Sequence, residues 1–214
     1  MKQLTKSKRP SSRLNDDHRE ARRIAIIDAA ESIFAAKPFN KVSMRDIARE
    51  AGISPALIYR HFPDQQHLFV EAFLRGANRL MEIFDQVLNG EKEVFIDEAA
   101  KKFITYLTEH EQYFKMMTHF MLEGSLNEGL RDKLNAIERS MLDKFDQVFE
   151  KAGMRGNPRA LSHAFFAALN GVLITFRQHP GRSAEEARAH MDHIGGIISS
   201  LFTDAIRRGL PISD

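Results

Sequence analysis

The chain has 214 residues, 43% of them hydrophobic and 28% charged, and no cysteine. Those values fit one or two small globular domains; they exclude a disordered or fibrous chain, a disulfide scaffold, a thiolate nucleophile and a cysteine-based zinc site. A chain free of cysteine suits a reducing compartment, so the cytoplasm is the expected location. The net charge of +2 is unevenly divided: residues 1–62 carry 13 Lys and Arg against 7 Asp and Glu, a balance of +6, whereas residues 63–214 carry 18 against 22. A local basic excess is the electrostatic footprint of a surface that meets phosphate. The longest mainly apolar run, Phe165 to Phe176, is 12 residues, short of the ~20 that span a bilayer, and no membrane contact is expected. Lys2, Lys6, Lys8 and Arg9 are followed by no apolar core, so no secretory signal is expected either.

In chain order, residues 1–16 are polar and basic and are expected as a disordered arm. From Asp17 to Ala36 the residues Ile26, Ile27, Ala30, Ile33 and Phe34 form the stripe of an amphipathic helix, which Pro38 stops. A short helix fits Met44 to Ala51 with Ser43 as N-cap. Another fits Pro55 to Phe62 with Ser54 as N-cap and proline at the first helical position. A long helix from Asp64 carries Leu68, Phe69, Ala72, Phe73, Leu80, Phe84 and Leu88 and ends near Asn89 and Gly90. Further helices fit about 93–109, 111–122, 127–152, 159–178 and 184–208, the last opening after Ser183 and ending before Gly209 and Pro211. No period-two strand appears, and the expected fold class is all-α.

Met44 to Pro63 reads as a helix-turn-helix. Ala48 is small enough for two helices to cross closely, Gly52 suits the left-handed backbone of a tight turn, and Ile47, Ile53 and Ile58 fill the wedge between the helices. With Ile58 and Phe62 inward, the second helix turns Pro55, Ala56, Leu57, Tyr59 and Arg60 outward, and its N-terminal part is the part that meets base edges in a major groove. Pro55, Ala56 and Leu57 suit thymine methyl groups; Arg45 and Arg60 are donors for a guanine edge or a phosphate; Ser43, Ser54, Tyr59 and His61 suit backbone contacts. Packing as a plain helical hairpin, and a capping role for His61, are the structural alternatives.

Residues 22–73, above all VSMRDIAREAGISPALIYRHF at 42–62 followed by LFVEAF at 68–73, resemble the DNA-binding domain of the TetR/AcrR family of bacterial transcription regulators. The resemblance implies a three-helix DNA-binding head over residues 17–63. A long helix would join it to a larger helical effector-binding and dimerisation domain over 64–214. It also implies a homodimer on an operator and a core pocket whose ligand lowers operator affinity. One departure stands out. Many members carry a phosphate-contacting lysine at the start of the fourth helix, where PDQQHL at 63–68 has Gln65. The arm with Lys6, Lys8, Arg9 and Arg13 is a candidate for added backbone or minor-groove contacts.

The second part is rich in soft apolar groups: nine phenylalanines between residues 95 and 176, joined by Met116, Met117, Met121 and Met141. Such a mixture suits an adaptable site for an apolar or amphipathic effector, although core filling explains any one ring equally well. The candidate lining is Phe103, Tyr106, Phe114, Met117, Phe120, Met121, Met141, Phe145, Phe166 and Asn170, with Tyr106, His119, Asn170 and Arg177 as the polar groups that could orient a head group. Small residues Ala160, Ala164, Ala168, Gly171 and Thr175 on one helix, and Gly195 and Gly196 beside Ile194, Ile198 and Leu201 on the last, suggest a dimer seam. A two-fold dimer predicts a pseudo-palindromic double-stranded operator.

No Gly-rich phosphate loop, H-E-x-x-H or nucleophile elbow is present, so no enzyme is expected, and no cofactor or metal is called for. Two alternatives to a ligand-responsive repressor remain at this level. One is a metal-responsive regulator built on His119 with Glu123 or His190 with His193. The other is a helical partner-binding adaptor that does not bind DNA.

Overall fold

In a computed structural model, residues 10–90, 96–123 and 128–209 are described. Among them the regular elements are helical, apart from turns: α1 (Pro10–Ala36), α2 (Met44–Glu50), α3 (Pro55–Ile58), α4 (Gln65–Leu88), α5 (Ile96–Glu109), α6 (Glu111–Glu123), α7 (Glu128–Lys151), α8 (Arg159–Phe176) and α9 (Ala184–Arg207), with one 3-10 turn at Phe39–Lys41. Two compact units divide the chain, one within residues 1–72 and one within 73–214. The division falls inside α4, after Ala72, rather than ahead of that helix at Pro63. The cause is packing: Leu68, Phe69 and Ala72 are buried with the first unit's core, and Glu71 pairs with Arg23 at 2.6 Å.

In the first unit, α1 begins at Pro10, so residues 10–16, expected as part of an irregular arm, are helical; Lys6, Lys8 and Arg9 lie outside the described residues. Ile26, Ile27, Ala30, Ile33 and Phe34 are buried against Ile47, Ala48, Ile58 and Phe62. The Phe34 ring meets Phe69 edge-on at 4.6 Å, and Phe39 lies 4.7 Å from Phe69. Both short helices are fixed by their first turns. Ser43 closes a capping box with Asp46, and the Ser54 hydroxyl accepts from Leu57 N at 3.3 Å. Gly52 has φ +65° and a Cβ there would meet nothing within 4 Å, so the turn requires glycine for its backbone and not for space. α3 is shorter than its periodicity predicts because Arg60 N and His61 N bond three residues back, to Leu57 O and Ile58 O, tightening the chain into 3-10 geometry before Phe62.

The second unit is built round a chain of phenylalanine rings. Phe145 lies edge-on to Phe84 at 5.2 Å and to Phe165 at 5.3 Å, and Phe165 meets Phe202 at 5.0 Å. Close approach of backbone is needed at two glycines. A Cβ on Gly76 would stand 2.4 Å from the Tyr113 ring, and one on Gly195 would stand 2.6 Å from Ile104 Cδ1. Gly195 therefore fits α9 against α5 within one chain. Polar ties close the unit: Tyr106 donates to Gly76 O at 2.7 Å, Lys144 pairs with Asp85, and Arg177 donates to Leu107 O and Thr108 O in the last turn of α5. Among the described residues α8 is the one helix long and apolar enough to cross a bilayer by length and composition, with a mean hydropathy of 1.3 over 18 residues. The sequence expectation counted only the unbroken apolar run; the helix as folded is longer.

Candidate nucleic-acid interface and effector cavity

The interface candidate lies on the first unit. Pro55, Ala56, Tyr59, Arg60 and Arg45 are exposed and Leu57 and His61 are half-buried, whereas Ile58 and Phe62 are fully enclosed, as expected from helix rotation. The capping chemistry decides which polar atoms remain available. Ser43 gives its hydroxyl hydrogen to Asp46 Oδ2 at 2.7 Å, which holds the Asp46 carboxyl below its usual range; Arg49 binds the other Asp46 oxygen at 2.6 Å. The backbone contact expected of Ser43 thus competes with its own cap. Ser54 accepts at its oxygen and keeps its hydrogen. Gln65, in the place of the family's lysine, donates its amide to Phe39 O at 2.8 Å, so it ties α4 to the 3-10 turn instead of pointing a donor outward.

The charges that act on His61 are those of arginines. Burial first, then Arg19, Arg60, Arg22 and Arg23, push its imidazole below the ordinary value of 6.5. Of these, Arg23 is held between Glu71 and the Phe62 ring, 5.3 Å from its centroid. Sequence reasoning missed Arg19 and Arg22 as members of this surface. They lie in the turns of α1 just ahead of the core stripe, and only the folded arrangement brings them near His61.

The cavity is in the second unit, with a volume of about 410 Å³, inside the range of small-molecule sites. Met117, Phe120, Met121, Met141 and Phe166 line it as expected, together with Phe73, Tyr113, Leu134, Ile137 and, at its rim, the exposed Arg131, Asn135 and Glu138. Phe73 stacks on Tyr113 at 4.9 Å and meets Phe120 edge-on at 4.9 Å. Burial pushes the Tyr113 phenol above its ordinary range, so it stays neutral. Five expected residues do not line it. Phe103 and Phe145 are fully buried in the ring chain, Tyr106 is committed to Gly76, and Phe114 is covered by the Arg177 guanidinium at 4.7 Å. Asn170 donates to Phe166 O at 2.8 Å within its own helix. His119 is half-buried on α6. Arg177, committed to α5, is not a cavity group. The missed α7 residues were legible only as one polar and one apolar stripe of a long helix.

Among the described residues no three His, Asp or Glu side chains form a metal-holding cluster. His190 lies edge-on to Phe176 at 4.7 Å; the Glu123 side chain is outside those described.

Residues 26–72 match the family model for bacterial regulatory proteins of the tetR family. That stretch, and not the rest of the chain, is similar to the tetR-family DNA-binding domain. An HTH-type transcriptional regulator of Haemophilus influenzae is 39% identical over 69 residues, an alignment spanning 32% of this chain and 34% of that protein. UidR of Escherichia coli strain K12, also an HTH-type transcriptional regulator, is 24% identical over 185 residues, covering 83% of this chain and 93% of its own. The transcriptional regulator FadR of Bacillus subtilis, solved in complex with stearoyl-CoA, has the same fold, with a TM-score of 0.65, 17% identity and coverage of 83% of this chain and 97% of its own. Both sequence relatives are HTH-type transcriptional regulators, and the residues shared with the first are those of the DNA-binding domain.

Proposed function

We propose that the chain is a repressor that binds a pseudo-palindromic operator as a homodimer in the cytoplasm and is released by an apolar or amphipathic small molecule. The cavity between α6 and α7 is the observation that carries this reading. Its lining combines methionine with aromatic rings, which adapt to a flexible apolar chain, and its rim is polar. The stearoyl-CoA bound by the Bacillus subtilis relative in fold supports an acyl chain as the effector class. Homodimerisation is supported by α8 and α9: Ala160, Ala164, Ala167 and Gly171 lie exposed along α8 with Ala168 half-buried, and a Cβ on Gly171 would meet nothing within 4 Å. Ile174, Ile197 and Leu201 remain 56%, 45% and 64% exposed, and Ile194 and Ile198 half-buried. An apolar face of this kind favours association. α4 belongs to both units and is the element through which an occupied cavity would alter operator binding.

Coupling of this kind is about 1–3 kcal/mol and reciprocal. The test is selection of duplex DNA from a random pool by the full chain, followed by titration of the recovered site with and without stearoyl-CoA at two salt concentrations. A pseudo-palindrome, a steep loss of affinity with salt and weaker binding with the acyl compound are expected, and the site should weaken acyl binding by the same factor. Equal operator affinity at saturating stearoyl-CoA would remove the acyl class. Replacing Arg45 and Arg60 together by alanine should cost about 1–3 kcal/mol for each lost contact while leaving the melting temperature unchanged; undiminished DNA binding would return the adaptor reading.

A further inference from the structure

The first turn of α3 offers a base edge almost nothing to hydrogen-bond with. Pro55 has no backbone N–H, Ala56 has only a methyl group, and the outer part of Leu57 is hydrocarbon; the first two are exposed and the third half-buried. Most polar side chains nearby are engaged inside the protein, apart from the hydroxyl hydrogen of Ser54 and the exposed Tyr59 past the end of the helix. Ser54 oxygen faces Leu57 N, Ser43 hydroxyl and Arg49 both bind Asp46, and the Gln65 amide binds Phe39 O. The remaining arginines of α2, α3 and the chain around His61 divide into two sets. Arg19, Arg22 and Arg60 act electrostatically on His61, beyond the far end of α3, where charge without a base partner suits phosphate. Arg45, exposed in the first turn of α2, is the one guanidinium of α2 and α3 outside both the Asp46 pair and the His61 cluster.

In the major groove, the feature of a base pair that hydrocarbon can read is the 5-methyl group of thymine. We propose that this head discriminates its operator chiefly through thymine methyl groups packed on Pro55, Ala56 and Leu57, with Arg45 supplying the directional hydrogen bonds in each half-site. The inference rests on α3 entering the major groove, as the operator reading above requires. Ala56 is the central specificity residue, because it is the exposed member of the turn whose side chain ends in a single methyl group with no ring or branch to hold the base pair away.

Replacing thymine by deoxyuridine removes that methyl group and leaves base pairing intact, which isolates the contact. In the site recovered by selection with the full chain, each dT is replaced in turn by dU and the affinity measured. At one or two positions per half-site the loss should be about fourfold for one methyl, and on the order of fifteenfold when the same position is replaced in both half-sites. In Ala56→Gly the dT-to-dU ratio at one of those positions should fall to one. Because the ratio is read within a single protein, any loss of folded fraction cancels. Equal affinity for dT and dU at every position overturns the proposal, as does a dU effect that Ala56→Gly and Pro55→Gly both leave untouched. Enrichment of no site at all removes the operator reading itself, and the inference with it.

Discussion

The two units spend their side chains differently. In the first, the caps Ser43 and Ser54 and the pair Asp46 and Arg49 bind partners a turn away, so the chain path is set locally and the outer surface is left to arginine, tyrosine and bare hydrocarbon. In the second, the order comes from long-range contacts between aromatic rings such as Phe84, Phe145 and Phe165, and the same ring chemistry that fills the core also lines the cavity. A surface made by local chemistry is hard to alter without unfolding the turn beneath it. A cavity made by the outermost rings of a core can change its lining while the core persists.

The sharpest way to break that comparison is to remove one ring from each part of the second unit. Phe145→Ala should cost about 3–5 kcal/mol in urea unfolding, the usual loss for an enclosed ring. Phe120→Ala, a half-buried cavity residue, should cost far less and show itself as altered acyl binding; equal losses for the two would mean that no functional cavity is set apart from the core. Next in size is Gly76→Ala. Its new methyl group would meet the Tyr113 ring, which is held by Phe73 and Tyr106 and cannot swing aside as a chain end would. An overpacking cost of about 1–3 kcal/mol is expected, with Gly195→Ala milder because Ile104 Cδ1 can rotate away. In the first unit, Ser54→Ala should lose about 1 kcal/mol of stability through the α3 cap, measured by thermal melting; a change within error would mean the turn is set without that cap.

The smallest effect concerns His61. Its pKa is depressed in the free protein, so the folded state binds fewer protons than the unfolded one, and stability falls as pH drops below 6.5. Phosphate placed against the same cations favours the charged imidazole. Operator binding should therefore take up a fraction of a proton and tighten as pH falls through that window, by less than about tenfold per pH unit. His61→Gln should flatten the profile, and an unchanged slope would place His61 away from the DNA.

The first unit was legible from sequence because each of its rules is local: Ser43 and Ser54 as caps, Gly52 in a left-handed turn, Pro55 opening α3. Its departures were the short α3, the arginines of α1 near His61, and the early start of α1 at Pro10, where a basic composition had argued for an arm. The second unit was legible as helices but not as a site. Tyr106, Phe103 and Phe145 carry the same apolar signal as Met117 or Phe120, and only the fold separates a ring wedged among other rings from one facing a void. Arg177 shows the same limit for charge, since its guanidinium completes the end of α5 and nothing in its spacing announced that.

Gly171 has one more consequence. The chain contains no cysteine, and a side-chain atom added at Gly171 meets open space, so Gly171→Cys would install the molecule's single thiol at little steric cost. In a two-fold assembly joined through α8, such a thiol would have its own twin as its nearest reactive neighbour, and air oxidation would weld two chains into one covalent species only if their Cα atoms approach within about 7 Å. That one bond would convert an interface argued from small side chains into a ruler.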